Sequence, residues 1–146
     1  MAGLFDALSA RPALARSLAA HVRELDAGTL PPRTRELIAL MVAWLNACEY
    51  CTCVHKEVAS GLGVDEATLA TLGDFARSPL FSDPERAALA ATVALTREPR
   101  ALPPPLWEAL RANYDEAGCV EVIAAIGLNN YLSRVINALP PLSSRA

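Results

Sequence analysis

A chain of 146 residues is long enough for one domain with its own hydrophobic core and too short to expect two. A net charge of −3, with arginines scattered among Asp and Glu, excludes a basic nucleic-acid-binding surface. Apolar residues make up 53% but aromatics only 5%, so the core is built mainly of Ala, Leu and Val, a composition that favours closely packed helices over sheets.

In chain order, helical periodicity recurs and strand alternation is nearly absent. The opening residues Met1–Asp6 hold an early acid, no basic n-region and no long apolar h-region, so no secretory signal is expected. Pro12 to Leu25 reads as a first helix with Leu14, Leu18, Val22 and Leu25 on one side, broken by Gly28 and Pro31-Pro32. A second helix is expected from Thr34 to Ala47, with Glu36 in its first turn and an apolar surface nearly all round, which marks it as buried on most sides. The third runs from about Tyr50 to Leu62 and stops at Gly63. Asp65 caps a short helix to Leu72, ended by Gly73. Ser82-Asp-Pro-Glu85 is a capping-box start, with Pro84 at the first helical position, for a helix reaching Thr96. Another helix is expected over Leu106–Tyr114, and a last one opening at Gly118 and closing at Leu139 before Pro140-Pro141. No internal repeat, low-complexity tract or linker interrupts residues 1–146, so the expectation is one all-α domain, a bundle of six or seven helices. The longest uncharged runs, Leu37–Cys48 and Val122–Ser133, are twelve residues each, short of the about 20 needed to span a bilayer. No membrane segment and a cytoplasmic location are therefore expected.

The chemistry concentrates in Cys48-Glu-Tyr-Cys51-Thr-Cys53-Val-His55, with Glu36 twelve residues before Cys48. On a helix, residues three apart have Cβ atoms about 5–6 Å from each other, near enough for a disulfide with little backbone change. His55 lies over the same face as Cys51, one turn along. If the helix begins near Cys48–Tyr50, Cys51 sits in its first turn, where free N–H groups and the helix dipole stabilise a thiolate. Glu36, on a mostly apolar helix, needs a partner or a task, and an antiparallel helix pair brings it back towards His55. Four cysteines in a reducing compartment point to catalysis or metal rather than to a structural disulfide framework.

Other readings have weaker support. Zinc would want four ligands; Cys53 lies about 200° round the helix from Cys51 and does not face the same ion. No metal site is expected. A thioredoxin-like site would need a βαβ setting, which is missing. Cys53 and Cys119 read as packed residues and His21 as a surface or boundary histidine. Trp44, Trp107 and Tyr131 sit at helical core spacing, with Trp44 also placed to line a pocket. Asn129-Asn130 in an apolar helix implies an inter-helix or inter-subunit hydrogen bond, with a substrate contact as the lesser reading.

Glu36, then Cys48-x-Tyr-Cys51 at plus twelve, then His55 resembles the AhpD-like alkylhydroperoxidase branch of the carboxymuconolactone decarboxylase superfamily. Asn46, Ala59-Ser-Gly-Leu-Gly63 and the closing Gly127–Leu139 segment are similar to that branch too, so the likeness spans about Leu30 to Leu139. The resemblance implies an AhpD-like orthogonal helical bundle in which Cys51 is the peroxidatic thiol, Cys48 the resolving one, and His55 with Glu36 the proton relay. Some members carry a histidine where this chain has Tyr50, although the x-Tyr-Cys form is common. The activity implied is a thiol-dependent hydroperoxide reductase without metal, haem, flavin or other cofactor, recharged by a dithiol such as a lipoyl-bearing protein. The alternatives are a decarboxylase-type lyase or isomerase acting on a small lactone acid, with Arg33, Arg35 or Arg134 as carboxylate-binding groups, and a non-enzymatic redox sensor. The resemblance also implies a homo-oligomer, a trimer or a hexamer of trimers. A mean hydropathy of +0.25 points the same way, because the second and last helices carry more apolar surface than one small core buries.

Overall fold

The computed structural model describes residues 8–98 and 100–139. Among these are seven α-helices, two short 3-10 segments and no strand. The helices are α1 (Pro12–Asp26), α2 (Pro32–Leu45), α3 (Glu49–Gly61), α4 (Glu66–Ala70), α5 (Asp83–Arg97), α6 (Pro104–Asn113) and α7 (Glu116–Ala138). The 3-10 segments are Leu8–Ala10 and Leu72–Asp74.

The bundle is organised around α2, which packs against α3, α5 and α7. Every residue from Leu37 to Ala43 is buried, because the helix has a neighbour on several faces at once. Ile38 and Val42 enter one core cluster with Ala88, Leu110, Val122 and Ile126. Leu37, Leu40 and Met41 enter a second with Phe81 and Leu89. Each such side chain contributes about 1.5–3 kcal/mol by leaving water, so the shared wall fixes where the ends of α2 lie. A third cluster, Leu8 and Leu18 against Leu132 and Val135, seats α1 on α7.

The helix starts show where proline misleads. Pro31-Pro32 reads as a breaker, yet Pro32 opens α2 two residues before Thr34, and Glu36 consequently sits in the second turn rather than the first. Pro104 likewise opens α6 ahead of Leu106. Proline costs nothing there because the first N–H groups of a helix have no intrahelical acceptor. The last helix opens at Glu116, not at Gly118: the Asp115 carboxylate accepts the Gly118 N–H at 2.7 Å and is the true cap. The Ser82–Glu85 capping box forms as expected, with Asp83 at the first helical position and Pro84 after it. The short helix ends at Ala70, and Gly73 falls inside the following 3-10 segment. The expected stop at Pro140-Pro141 lies outside the described residues, as do residues 1–7.

Helix α7 is, among the described residues, long and apolar enough by length and composition to cross a membrane. Counting uncharged runs passes over it because Glu121 and Arg134 bracket its apolar stretch. In the bundle it is a core helix, with Val122, Ala125, Ile126 and Ser133 buried. Its Glu121 carboxylate accepts the N–H groups of Thr29 and Leu30 at 3.0 and 2.7 Å, tying down the α1–α2 turn. These backbone bonds, Thr29 first, hold the Glu121 carboxyl below its usual range. A Cβ at Gly28 would come within 2.7 Å of that carboxylate, so a larger residue there would push the end of the Glu121 side chain aside.

Candidate active site

The turn from α2 to α3 builds the cysteine pair. After Asn46 the chain turns left-handed at Ala47, φ 50°. The Ala47 N–H then reaches the Trp44 carbonyl (3.2 Å) and the Cys48 N–H the Ala43 carbonyl (2.9 Å), satisfying the last acceptors of α2. The same Cys48 caps α3: its carbonyl accepts the Thr52 N–H at 2.9 Å and its Sγ the Cys51 N–H at 3.4 Å. Cys51 is the third residue of α3 and lies in the first turn, as the spacing predicts. Cys48 and Cys51 are joined as a disulfide, with Cα atoms 5.3 Å apart.

Helices α2 and α3 pack side by side, and this brings Glu36 to His55. The Glu36 Oε2 and His55 Nδ1 atoms are 2.8 Å apart, with both side chains about four-fifths buried. A carboxylate on Nδ1 fixes the imidazole's orientation and leaves Nε2 as the nitrogen for proton exchange.

Cys51 and His55 line one small cavity of about 30 Å³, walled by Tyr50, Val54, Asn129 and Leu132. Cys48 is not in its lining and is buried to 1% exposure, against 7% for Cys51. Of the two sulfurs, Cys51 faces the access route. Val54, His55, Asn129 and Leu132 also border a larger groove of about 350 Å³ between α1, α2, α3 and α7, whose far wall includes Val22, Leu25 and Leu62. Glu36 and Arg35 lie along it. The α1 and α7 wall residues are ordinary apolar positions of amphipathic helices, and nothing in their types distinguishes them from core.

The remaining candidates separate. Cys53 is exposed, not packed, because it sits on the side of α3 away from α2. Cys119 is a buried thiol in α7, where burial above all pushes its ionisation up, so it is an inert core residue. His21 is exposed. Trp44, Trp107 and Tyr131 are not core either: they are 57%, 40% and 41% exposed. Helical spacing puts them on a common face with core residues, but the face turns outward at those positions; the Trp44 ring lies over Gly73, leaving 3.3 Å for a Cβ there. Arg33 is paired with Glu85 at 2.8 Å, and Arg134 donates to Asn130 Oδ1 at 2.6 Å. Among the described residues, no group of three His, Cys, Asp or Glu side chains could hold a metal ion.

An all-helical bundle with a helix-capping CxxC and a Glu–His pair defines a class of thiol-bearing helical proteins. The sequence profile of the carboxymuconolactone decarboxylase family matches residues 12–94, and the chain belongs to that family, in its AhpD-like branch. The uncharacterized protein YnjA of Escherichia coli is 34% identical over 111 residues, 75% of this chain and 60% of its own length. The uncharacterized protein YdfG of Bacillus subtilis is 30% identical over 107 residues, 73% of each chain. The chain thus spans about three-fifths to three-quarters of these relatives. Among solved structures, a protein of unknown function from Agrobacterium tumefaciens, with a suggested identity as the antioxidant defence protein AhpD, superposes with a TM-score of 0.82 at 25% identity, over 92% of this chain and 94% of that one. The debrominase Bmp8 superposes with a TM-score of 0.81 at 25% identity, over 90% and 71%.

Proposed function

We propose that the protein is a thiol-dependent hydroperoxide reductase. The observation that carries this reading is the Glu36–His55 pair at 2.8 Å, whose histidine lines the same cavity as Cys51. In the reduced protein the Cys51 thiolate attacks the terminal oxygen of a hydroperoxide. The O–O bond breaks, the alcohol leaves with a proton relayed through His55, and Cys51 becomes a sulfenic acid. The Cys48 thiol then attacks that sulfur, expelling water and forming the disulfide. A dithiol such as a lipoyl-bearing protein supplies two electrons and two protons, returning both cysteines to thiols as it becomes a disulfide itself. Glu36 orients His55 through its Nδ1 atom. No metal or other cofactor enters the scheme. The cycle suits a reducing compartment, the cytoplasm, where a dithiol donor is at hand. A homo-oligomer, trimer or hexamer, would cover the apolar residues left exposed around the bundle, Val58, Leu62 and Val120 among them.

The apolar groove supports a substrate larger than hydrogen peroxide, and it also favours a second reading. The likeness to a debrominase raises attack of the same thiolate on a halogenated ring, in which the C–Br bond becomes C–H, two thiols become the disulfide, and bromide and one proton leave. A lyase acting on a lactone acid is less well supported, since Arg35, the arginine along the groove, is already engaged by the Leu30 carbonyl at 2.8 Å and by Asp26 at 3.5 Å. Incubating the reduced protein with an organic hydroperoxide, a bromopyrrole or a small lactone acid, with and without dihydrolipoamide, separates the readings. Catalytic hydroperoxide loss that needs the dithiol is the expected result. Thiol oxidation that stops after one equivalent would indicate a redox sensor.

A further inference from the structure

Three polar residues of α7 converge on the residue that precedes the left-handed turn. Asn46 Nδ2 donates to Asn130 Oδ1 at 3.0 Å and to Ser133 Oγ at 2.7 Å, and the Asn46 carbonyl accepts from Asn137 Nδ2 at 2.9 Å. Positions 130, 133 and 137 form one stripe on the face of α7 turned to the end of α2. Asn130 is itself fixed: its Oδ1 also accepts from Arg134 Nη1 at 2.6 Å, while its Nδ2 donates to Thr96 Oγ1 at 3.0 Å. Both N–H bonds of the Asn46 amide are therefore used, and its orientation has no alternative.

Next in the chain is Ala47, whose φ of 50° is a conformation that L side chains other than asparagine and aspartate disfavour and that glycine adopts freely. Such a residue persists where its surroundings over-determine it. The turn it makes delivers Cys48 to the head of α3, over Cys51. We propose that Asn46 is a positioning residue for the redox pair: clamped by α7, it holds Ala47 left-handed, keeps Cys48 over Cys51 and so tilts the thiol–disulfide equilibrium towards the disulfide. The dithiol needs no such approach of the two sulfurs, so loosening the clamp costs the disulfide more than the dithiol. This rests on the reading of Cys48–Cys51 as a reversible pair.

The test equilibrates the full-length protein in glutathione buffers and counts free thiols by alkylation. In that exchange two glutathione thiols become glutathione disulfide as the protein pair becomes two thiols, so two electrons and two protons move. The wild-type pair is expected to titrate reversibly. Asn46→Ala is expected to shift the equilibrium roughly fivefold towards the dithiol, and the milder Asn137→Ala, at an exposed position, about twofold the same way. Adding Ala47→Gly to Asn46→Ala should restore the equilibrium to within about twofold of wild type, because glycine holds the turn unaided. If both asparagine variants lose stability to urea but leave the equilibrium unmoved, Asn46 is structural only and the proposal fails. If Ala47→Gly restores nothing, the clamp does not act through the turn and the proposal fails equally. A wild-type pair that does not exchange with glutathione at all would overturn the redox reading itself, a result distinct from either.

Discussion

Glu36 and His55, nineteen residues apart and on different helices, meet at 2.8 Å between Oε2 and Nδ1, and the imidazole lines the same cavity as Cys51. A carboxylate in the second turn of a helix buried along most of its length has no reason to be there unless something engages it, and here the partner is the imidazole one turn after the cysteine. Glu36→Gln keeps the volume and loses the charge. It is expected to fold normally and slow the reaction of the reduced protein with hydroperoxide on the order of tenfold or more. An unchanged rate would reduce Glu36 to a structural partner of His55.

The two cysteines differ in access, and their roles should differ accordingly. Cys51 lines the cavity and lies one turn from His55, whereas Cys48 is buried behind the turn. Cys48→Ser is expected to accumulate a sulfenic acid at Cys51 after one equivalent of hydroperoxide, detectable by a dimedone-type probe and peptide mapping. Cys51→Ser should stay unreactive, and Cys53 and Cys119 unmodified in both. The reverse trapping pattern would exchange the roles.

The pair, the histidine and the glutamate were legible in the sequence because they obey helical spacing and need only one antiparallel helix contact to meet. The all-helical architecture was legible as well, since Gly63, Asp65 and the Ser82–Glu85 capping box punctuate it, whereas Gly73 and Gly118 do not mark the helix ends they suggest. Periodicity tells which residues share a face, not which way the face looks, and that is why Trp44, Trp107 and Cys53 read as core and lie exposed. Pro32 reads as a break, yet the same residue that ends one helix is welcome at the head of the next, as Pro32 and Pro104 both are. Asn130 was odd in the sequence but mute about its partners: Thr96 is 34 residues away and Asn46 is 84, and no local pattern carries pairings at that distance.

The proposed assembly would cover apolar residues that the single chain leaves outside. Val58, Leu62 and Val120 are 45%, 43% and 63% exposed. Sedimentation equilibrium at micromolar concentration is expected to give the mass of a trimer or a hexamer. A stable monomer with full activity would contradict it.

Acid should loosen the α1–α2 turn. The folded-state pKa of Glu121 lies below its ordinary value of 4.5, so the unfolded chain takes up the proton more readily. Its contribution to stability is therefore complete above that ordinary value and is lost as pH falls through the depressed one. Thermal melts of Glu121→Gln should lie below wild type at pH 7 and draw together with it as pH falls below the ordinary value of 4.5. Parallel curves across that range would mean the carboxylate contributes nothing through its charge.

A single-turnover titration of the fully reduced protein with an organic hydroperoxide tests the proposed cycle most directly. One equivalent should be consumed per chain and two thiols should disappear. Peptide mapping should find them joined as Cys48–Cys51, with dihydrolipoamide restoring both for a second turnover. Hydroperoxide left unconsumed, or thiols lost from Cys53 or Cys119 ahead of this pair, would contradict it.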